Sequence, residues 1–155
     1  MSLLATLELV FWTGVYATLA GALAGVVAAV LWSPFLLSDR LRALFQLGPT
    51  DHWGLNYVVA CVVVTAVHGL VLGVGLALGA GRDGPSIAVI LLVSALTIGL
   101  VWAVPAVALP ARGYEWDPRG FDAVTHLLLV GGSIWYAAIV TVPMFVLSLL
   151  LSLPA

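Results

Sequence analysis

Apolar residues run almost unbroken through four segments of this chain, roughly Leu9 to Trp32, Leu55 to Ala80, Ser86 to Leu109 and Val124 to Leu153. Charge is confined to the joints between them; Glu8 is the only charged residue before Asp39. About 20 consecutive apolar residues are enough to cross a bilayer as a helix. Hydrocarbon offers no hydrogen-bond partners, so a spanning backbone must satisfy itself, which a helix does. The pattern therefore predicts an all-α, polytopic membrane protein, a single four-helix bundle over residues 1–155 with spans at about 9–32, 55–80, 86–109 and 124–153. No basic residue precedes the first run, which is also longer than the 7–15 or so residues of a signal-peptide core, so it is expected to be retained as a helix.

The joints have patterns of their own. In "SPFLLSDRLRALFQLGP", Ser33 can cap a helix that carries Pro34 at its first position, and Gly48–Pro49 can stop it. Leu37, Leu41 and Leu44 then share one face while Ser38, Arg42 and Gln46 share another. A short amphipathic helix over about 34–47, lying at the headgroups as a connector, is the expectation. The third joint, "PARGYEWDPRGFDA", is rich in glycine, proline and charge. It reads as a surface turn with Glu115 and Asp117 solvated.

Composition supports the same class. Of the 155 residues 63% are hydrophobic and 8% charged, against roughly a quarter charged in soluble domains. The lone Cys61 excludes an intrachain disulfide and reads as a small core residue. All five basic residues are arginines and they form no patch, so nucleic acid is not an expected partner. Arg40 and Arg42 follow the first span, Arg112 and Arg119 follow the third, and only Arg82 lies between the second and third. By the positive-inside rule, loops 33–54 and 110–123 are cytoplasmic and both termini extracytoplasmic. Trp32, Trp53, Trp102 and Trp116 fall near that cytoplasmic edge, as an interfacial belt would.

Helices in lipid associate through close fit, so rows of small residues mark contact faces. Ala17, Gly21, Gly25 and Ala28 form such a row in the first span, and Gly69 with Gly73, then Gly75 with Gly79, in the second; the fourth has Gly131–Gly132. These rows serve packing within the chain or between copies of it. Pro105 and Pro143 each remove a backbone donor and should kink their helices.

Candidate chemistry rests on three histidines. His68 lies twelve residues beyond Asn56, about 18 Å along a helix and so near mid-membrane. An ionisable group there needs a partner even when neutral. Thr65 and Cys61 precede it on roughly the same face, and Ser94, Thr97, Ser133 and Tyr136 are candidate partners on other spans. His126 is four residues past Asp122, about 6 Å in, and His52 belongs to a solvated loop.

Both "AVHGLVLG" and "VTHLLLVG" read His, four residues, Gly. These paired motifs, with "GLVWAVPAVALPARG" between them, resemble a group of small four-helix prokaryotic integral membrane proteins of uncharacterised function. The resemblance rests on His68, Gly73, Trp102, Pro105, Pro110, His126 and Gly131. It implies the fold and carries no activity over.

The favoured reading is a non-enzymatic membrane bundle, acting alone or as an accessory subunit, whose partners are the bilayer, copies of itself or other membrane subunits. A neutral His68 would hydrogen-bond a neighbouring helix. One alternative is a small proton, ion or solute carrier or channel using His68, with Thr65, Glu8 and Asp122 as relay candidates. The other is a b-type haem subunit with His68 and His126 as ligands. No nucleophile elbow, metalloprotease motif or phosphate-cradling loop is present, so no catalytic residue is assigned, and no metal or cofactor is expected outside the haem alternative.

Overall fold

Two helices can bring their backbones together only where both lack bulky side chains, and two spans of this chain have complementary rows of that kind. The computed structural model describes residues 2–79 and 87–152. Among them every regular element is helical. In order they are α1 (Leu3–Trp32), a 3₁₀ turn (Ser33–Leu37), α2 (Asp39–Gln46), α3 (Trp53–Gly79), α4 (Ile87–Ala103), a π-helical segment (Val104–Ala108), α5 (Leu109–Ala111) and α6 (Ala123–Ser152). Four stretches are long and apolar enough to cross a membrane: Leu3–Leu37, Trp53–Leu78, Ile87–Ala111 and Ala123–Pro143. Each overlaps one of the four apolar segments; α1 begins at Leu3, where the Ser2 hydroxyl accepts from the Ala5 amide at 3.3 Å, and the fourth stretch ends at Pro143. Arg82 lies outside the described residues.

The α1–α3 pair is the most extensive contact in the chain. A Cβ placed on Gly21 would overlap the Thr65 carbonyl, and one on Gly69 would overlap the Ala17 carbonyl. On Gly25 it would stand 2.6 Å from Cα of Val62, and on Gly73 2.9 Å from the Thr13 carbonyl oxygen. The first-span row and the Gly69–Gly73 pair thus face one another inside the chain, while Gly75 faces Val89 of α4. Helix α4 packs on both α3 and α6, and α1 meets α6 near Trp32. There the Trp32 ring lies on Gly132 and its indole N–H donates to the Gly132 carbonyl at 3.0 Å. The outward faces carry exposed Leu19, Leu23, Leu92, Leu96, Leu127 and Ile134, as lipid-facing surfaces do.

The first joint departs from the single helix expected over 34–47. The Ser33 hydroxyl donates back to the Val30 carbonyl at 2.7 Å and so closes α1 instead of opening a new helix. At Ser38 the backbone is extended (φ −80°, ψ 122°), which splits the segment into the 3₁₀ turn and α2. The break rotates the leucines apart: Leu37 is exposed and Leu41 fully buried. Gly48–Pro49 does end α2, and the Asn56 amide then pins the joint. Asn56 Nδ2 donates to the Phe45 and Thr50 carbonyls, and Oδ1 accepts from the Thr50 amide and hydroxyl, at 2.7–3.1 Å.

At Pro105 the helix widens into a π turn. The Leu109 amide reaches back to the Val104 carbonyl, and the next residue, Pro110, has no N–H, so the Pro105 carbonyl loses its partner within the helix. The Trp116 indole N–H supplies one at 2.9 Å. Helix α6 continues through Pro143.

Because the α1–α3 seam is backbone against backbone, Gly69→Val should destabilise the fold by about 1–3 kcal/mol or more through overpacking. Gly99→Ala, where a Cβ meets open space, should be neutral or stabilising. Unfolding of both variants in mixed micelles checks the contrast.

Candidate functional site

Polar side chains meet in two places, one among the spans and one at their joint end. Helix α3 turns Thr65, His68 and Leu72 inward on one face, and all three are buried. His68 Nδ1 lies 3.1 Å from the hydroxyl of Tyr136 on α6, which is also buried. Their rings are tilted at 45° with centroids 6.1 Å apart. Either group can be the donor, depending on the imidazole tautomer. Tyr136 is among the partners expected for His68. The Thr65 hydroxyl turns back to the Cys61 and Val62 carbonyls at 2.8 and 3.1 Å while its side chain packs under Gly25.

The other proposed relay and ligand residues are not brought to this point. Glu8 is exposed near the start of α1. His126 is exposed and edge-on to Phe121, with centroids 5.1 Å apart. It precedes Tyr136 by ten residues on α6, or about 15 Å. Asp122 is engaged elsewhere.

The second cluster corrects the picture of the third joint as a surface turn. Glu115 is exposed, but Trp116 and Asp117 are buried. A glycine at φ 81°, Gly113, ends α5: the Gly113 and Tyr114 amides bond the Pro110 and Leu109 carbonyls at 2.9 and 3.1 Å, the geometry of a Schellman cap. Gly120, at φ 80°, closes a turn whose amide donates to the Asp117 carbonyl at 3.1 Å. The segment between them folds back, seating Trp116 against Leu41 of α2 and Leu129 of α6.

Arg40 of α2 lies in the middle of this arrangement. Its Nη1 is 2.6 Å from Asp122 Oδ1, 2.6 Å from the Thr125 hydroxyl and 3.1 Å from Asp117 Oδ2, and its Nη2 is 2.9 Å from Asp122 Oδ2. The Thr125 hydroxyl donates to Asp117. Asp122 also caps α6, accepting from the Val124 and Thr125 amides at 2.9 and 3.1 Å. At the rim, Asp39 pairs with Arg42 and, at 3.7 Å, with Arg119. Three arginines and three aspartates thus balance. The Arg40 hydrogen bond, followed by the Thr125 amide, holds the Asp122 carboxyl well below the usual range, and Asp122 foremost raises the Arg40 pKa.

Sequence reasoning missed this cluster, although signals for it were present. Arg40 falls beside Leu37 and Leu44 on the helical wheel, and Asp122 stands three residues before Thr125, the spacing of an N-cap. Chemically, the cluster offers paired ions and saturated hydrogen bonds. Among the described residues no three His, Cys, Asp or Glu side chains lie close enough to hold a metal ion.

These observations define an all-helical chain, over its described residues, with four helices fit to cross a membrane and polar contacts that join them. The chain belongs to the family described as domain of unknown function (DUF8162), whose model matches residues 11–155. No curated protein and no solved structure shows significant similarity to it.

Asp122 contributes stability that is fully present above the ordinary aspartate value of about 3.9 and lost as pH falls from there through its depressed folded value. Asp122→Asn keeps a capping side chain but removes the charge, so it should flatten the acid limb of a thermal-stability–pH profile. Thr125→Val leaves Asp117 short of a donor and should cost about 1–3 kcal/mol, measured by unfolding at neutral pH.

Proposed function

We propose that this is a non-enzymatic integral membrane protein, a single helical bundle that acts alone or as an accessory subunit of a larger membrane complex in a prokaryotic cell membrane. The observation that carries this reading is the use made of His68. The ionisable side chain nearest the centre of a span is taken up by an interhelical contact with Tyr136. At the joint end Arg40, Arg119, Asp39, Asp117 and Asp122 are likewise taken up, in joining α2, the third joint and α6. A proton or solute carrier draws less support, because Glu8 and Asp122 lie away from His68. So does haem ligation by His68 and His126, which stand about 15 Å apart along the bundle.

The membrane frame follows from the α1–α3 register. Gly21 faces Thr65 and Ala17 faces Gly69, so Trp53 stands at the level of Ser33. Trp12, exposed and stacked on Tyr16, is twenty-one residues earlier, about 31 Å. That is the thickness of a hydrocarbon core, with an aromatic residue at each edge. The arginine distribution supports loops 33–54 and 110–123 in the cytoplasm and both termini outside. Helix α2 then lies at the inner headgroups.

His68→Leu should lower stability in detergent by about 1 kcal/mol, the scale of an interhelical hydrogen bond in a membrane, while insertion persists. An unchanged or higher thermal midpoint would remove the packing role. Proton flux into proteoliposomes abolished by His68→Ala would favour the carrier, and a Soret band lost in the same variant would favour haem. In a Cys61→Ala background, cysteines at Leu4 and Asp51 should be labelled from opposite sides of the membrane. Labelling from the same side would refute the topology.

A further inference from the structure

Buried hydroxyls in a helix ordinarily bond a carbonyl one turn back, and the spans show this at Thr18, Thr65 and Thr97, each donating to the fourth residue before it at 2.7–2.9 Å. Ser94 on α4 and Ser133 on α6 do not. They are 2% and 4% exposed, and neither hydroxyl has a hydrogen-bond partner among the described residues.

Their positions are related. Leu72, one turn beyond His68 on α3, packs against Ile90 and Val93 of α4. Ser94 lies one turn past Ile90 on a helix running the opposite way, so it stands at the level of His68. Ser133 precedes Tyr136 by three residues and shares its face of α6. The two orphan hydroxyls therefore fall within about one helical turn of the level of the His68–Tyr136 pair. Among the described residues Tyr136 is the sole hydrogen-bond partner of the imidazole, which leaves Nε2 able to donate or accept. Unpaired polar atoms at this depth are costly, and buried groups of this kind are regularly satisfied by internal water making two to four hydrogen bonds.

We propose that the centre of the bundle is a binding site for water, in which one or two molecules join the Ser94 and Ser133 hydroxyls to the free edge of the His68–Tyr136 pair. Leu72, Ile90 and Val93 pack together one turn from the site, so the occupant proposed is the smallest molecule that can both donate and accept. The site makes the contact between α3, α4 and α6 polar and directional at mid-membrane, although its rim is apolar. The proposal rests on His68–Tyr136 being a packing contact.

Thermal unfolding of Ser94→Ala and Ser133→Ala in detergent tests the water directly. If water bridges them, each variant loses hydrogen bonds and its midpoint should fall by about 2–4 °C. The effect should shrink in a Tyr136→Phe background because the bonds are shared. If the hydroxyls are orphans, alanine removes a penalty, and an unchanged or raised midpoint in both variants overturns the proposal. A second readout does not depend on stability. Infrared difference spectra in H₂¹⁸O should show a shifted buried-water O–H band in the wild type that is lost in Ser94→Ala/Ser133→Ala; absence of the band in the wild type would also overturn it. Tyr136→Phe alone tests the packing contact, so failure of that contact is distinguishable from failure of the water site.

Discussion

Backbone contact between α1 and α3 sets the positions of the other parts. Lipid tails are as apolar as leucine, so helices gain little from mere hydrophobic burial and must gain from close fit. Gly21 and Gly25 on one side and Gly69 and Gly73 on the other let the main chains touch. That contact fixes the rotation of α3 about its axis. With Gly69 turned toward α1, the preceding residue, His68, is turned about 100° away, toward α6 and α4. The histidine reaches Tyr136 because its neighbour is a glycine committed to another helix. The same register brings the end of α1 level with Tyr57, whose hydroxyl donates to the Ala29 carbonyl.

The joint end is held by a different force. Here α2, the third joint and the start of α6 come together through Arg40. A buried ion pair is weak support for stability by itself, since desolvation offsets attraction. Arg40 improves on a lone pair by meeting two carboxylates and a hydroxyl, with bidentate geometry toward Asp122. Asp122 does two jobs with one carboxylate, because the amides at the start of α6 also need an acceptor. The apolar cluster of Leu41, Trp116 and Leu129 beneath it shields the arrangement.

Spans and small-residue rows were legible from sequence because the bilayer imposes a length on the first and a geometry on the second. Tyr136 could be named among partners of His68 for a related reason: buried imidazole needs hydrogen bonding, and few residues on other spans could supply it. The burial of Asp117 was not legible. It depends on two backbone reversals, at Gly113 and Gly120, and glycine in a loop announces freedom without saying which way the chain turns. Nor was the break at Ser38, since the pattern around it suits a continuous helix. The chain opens there so that Arg40 and Leu41 can both face inward, a demand set by residues about eighty positions away. The tryptophans show the same limit. Trp32 and Trp116 have the placement of interfacial anchors, yet each donates its indole N–H to a backbone carbonyl inside the fold.

The distribution of polar groups bears on function through what each is free to do. A group that moves protons or grips a ligand must keep a hydrogen-bonding site open, whereas a packing group fills its sites with protein. By that measure Thr65 and Asn56 are closed. At the ionic cluster, bonds to Arg40, Thr125 and backbone amides occupy the carboxylates. Among the described residues the buried groups that stay open are the hydroxyls of Ser94, Ser133 and Thr141, the indole N–H of Trp102 and one edge of His68. Of these, His68, Ser94 and Ser133 fall at neighbouring levels of α3, α4 and α6, whereas Trp102 and Thr141 each lie eight residues further along their helices. On the proposed reading, the groups near His68 fix how α3, α4 and α6 sit against one another, and the outlying pair is not part of that contact.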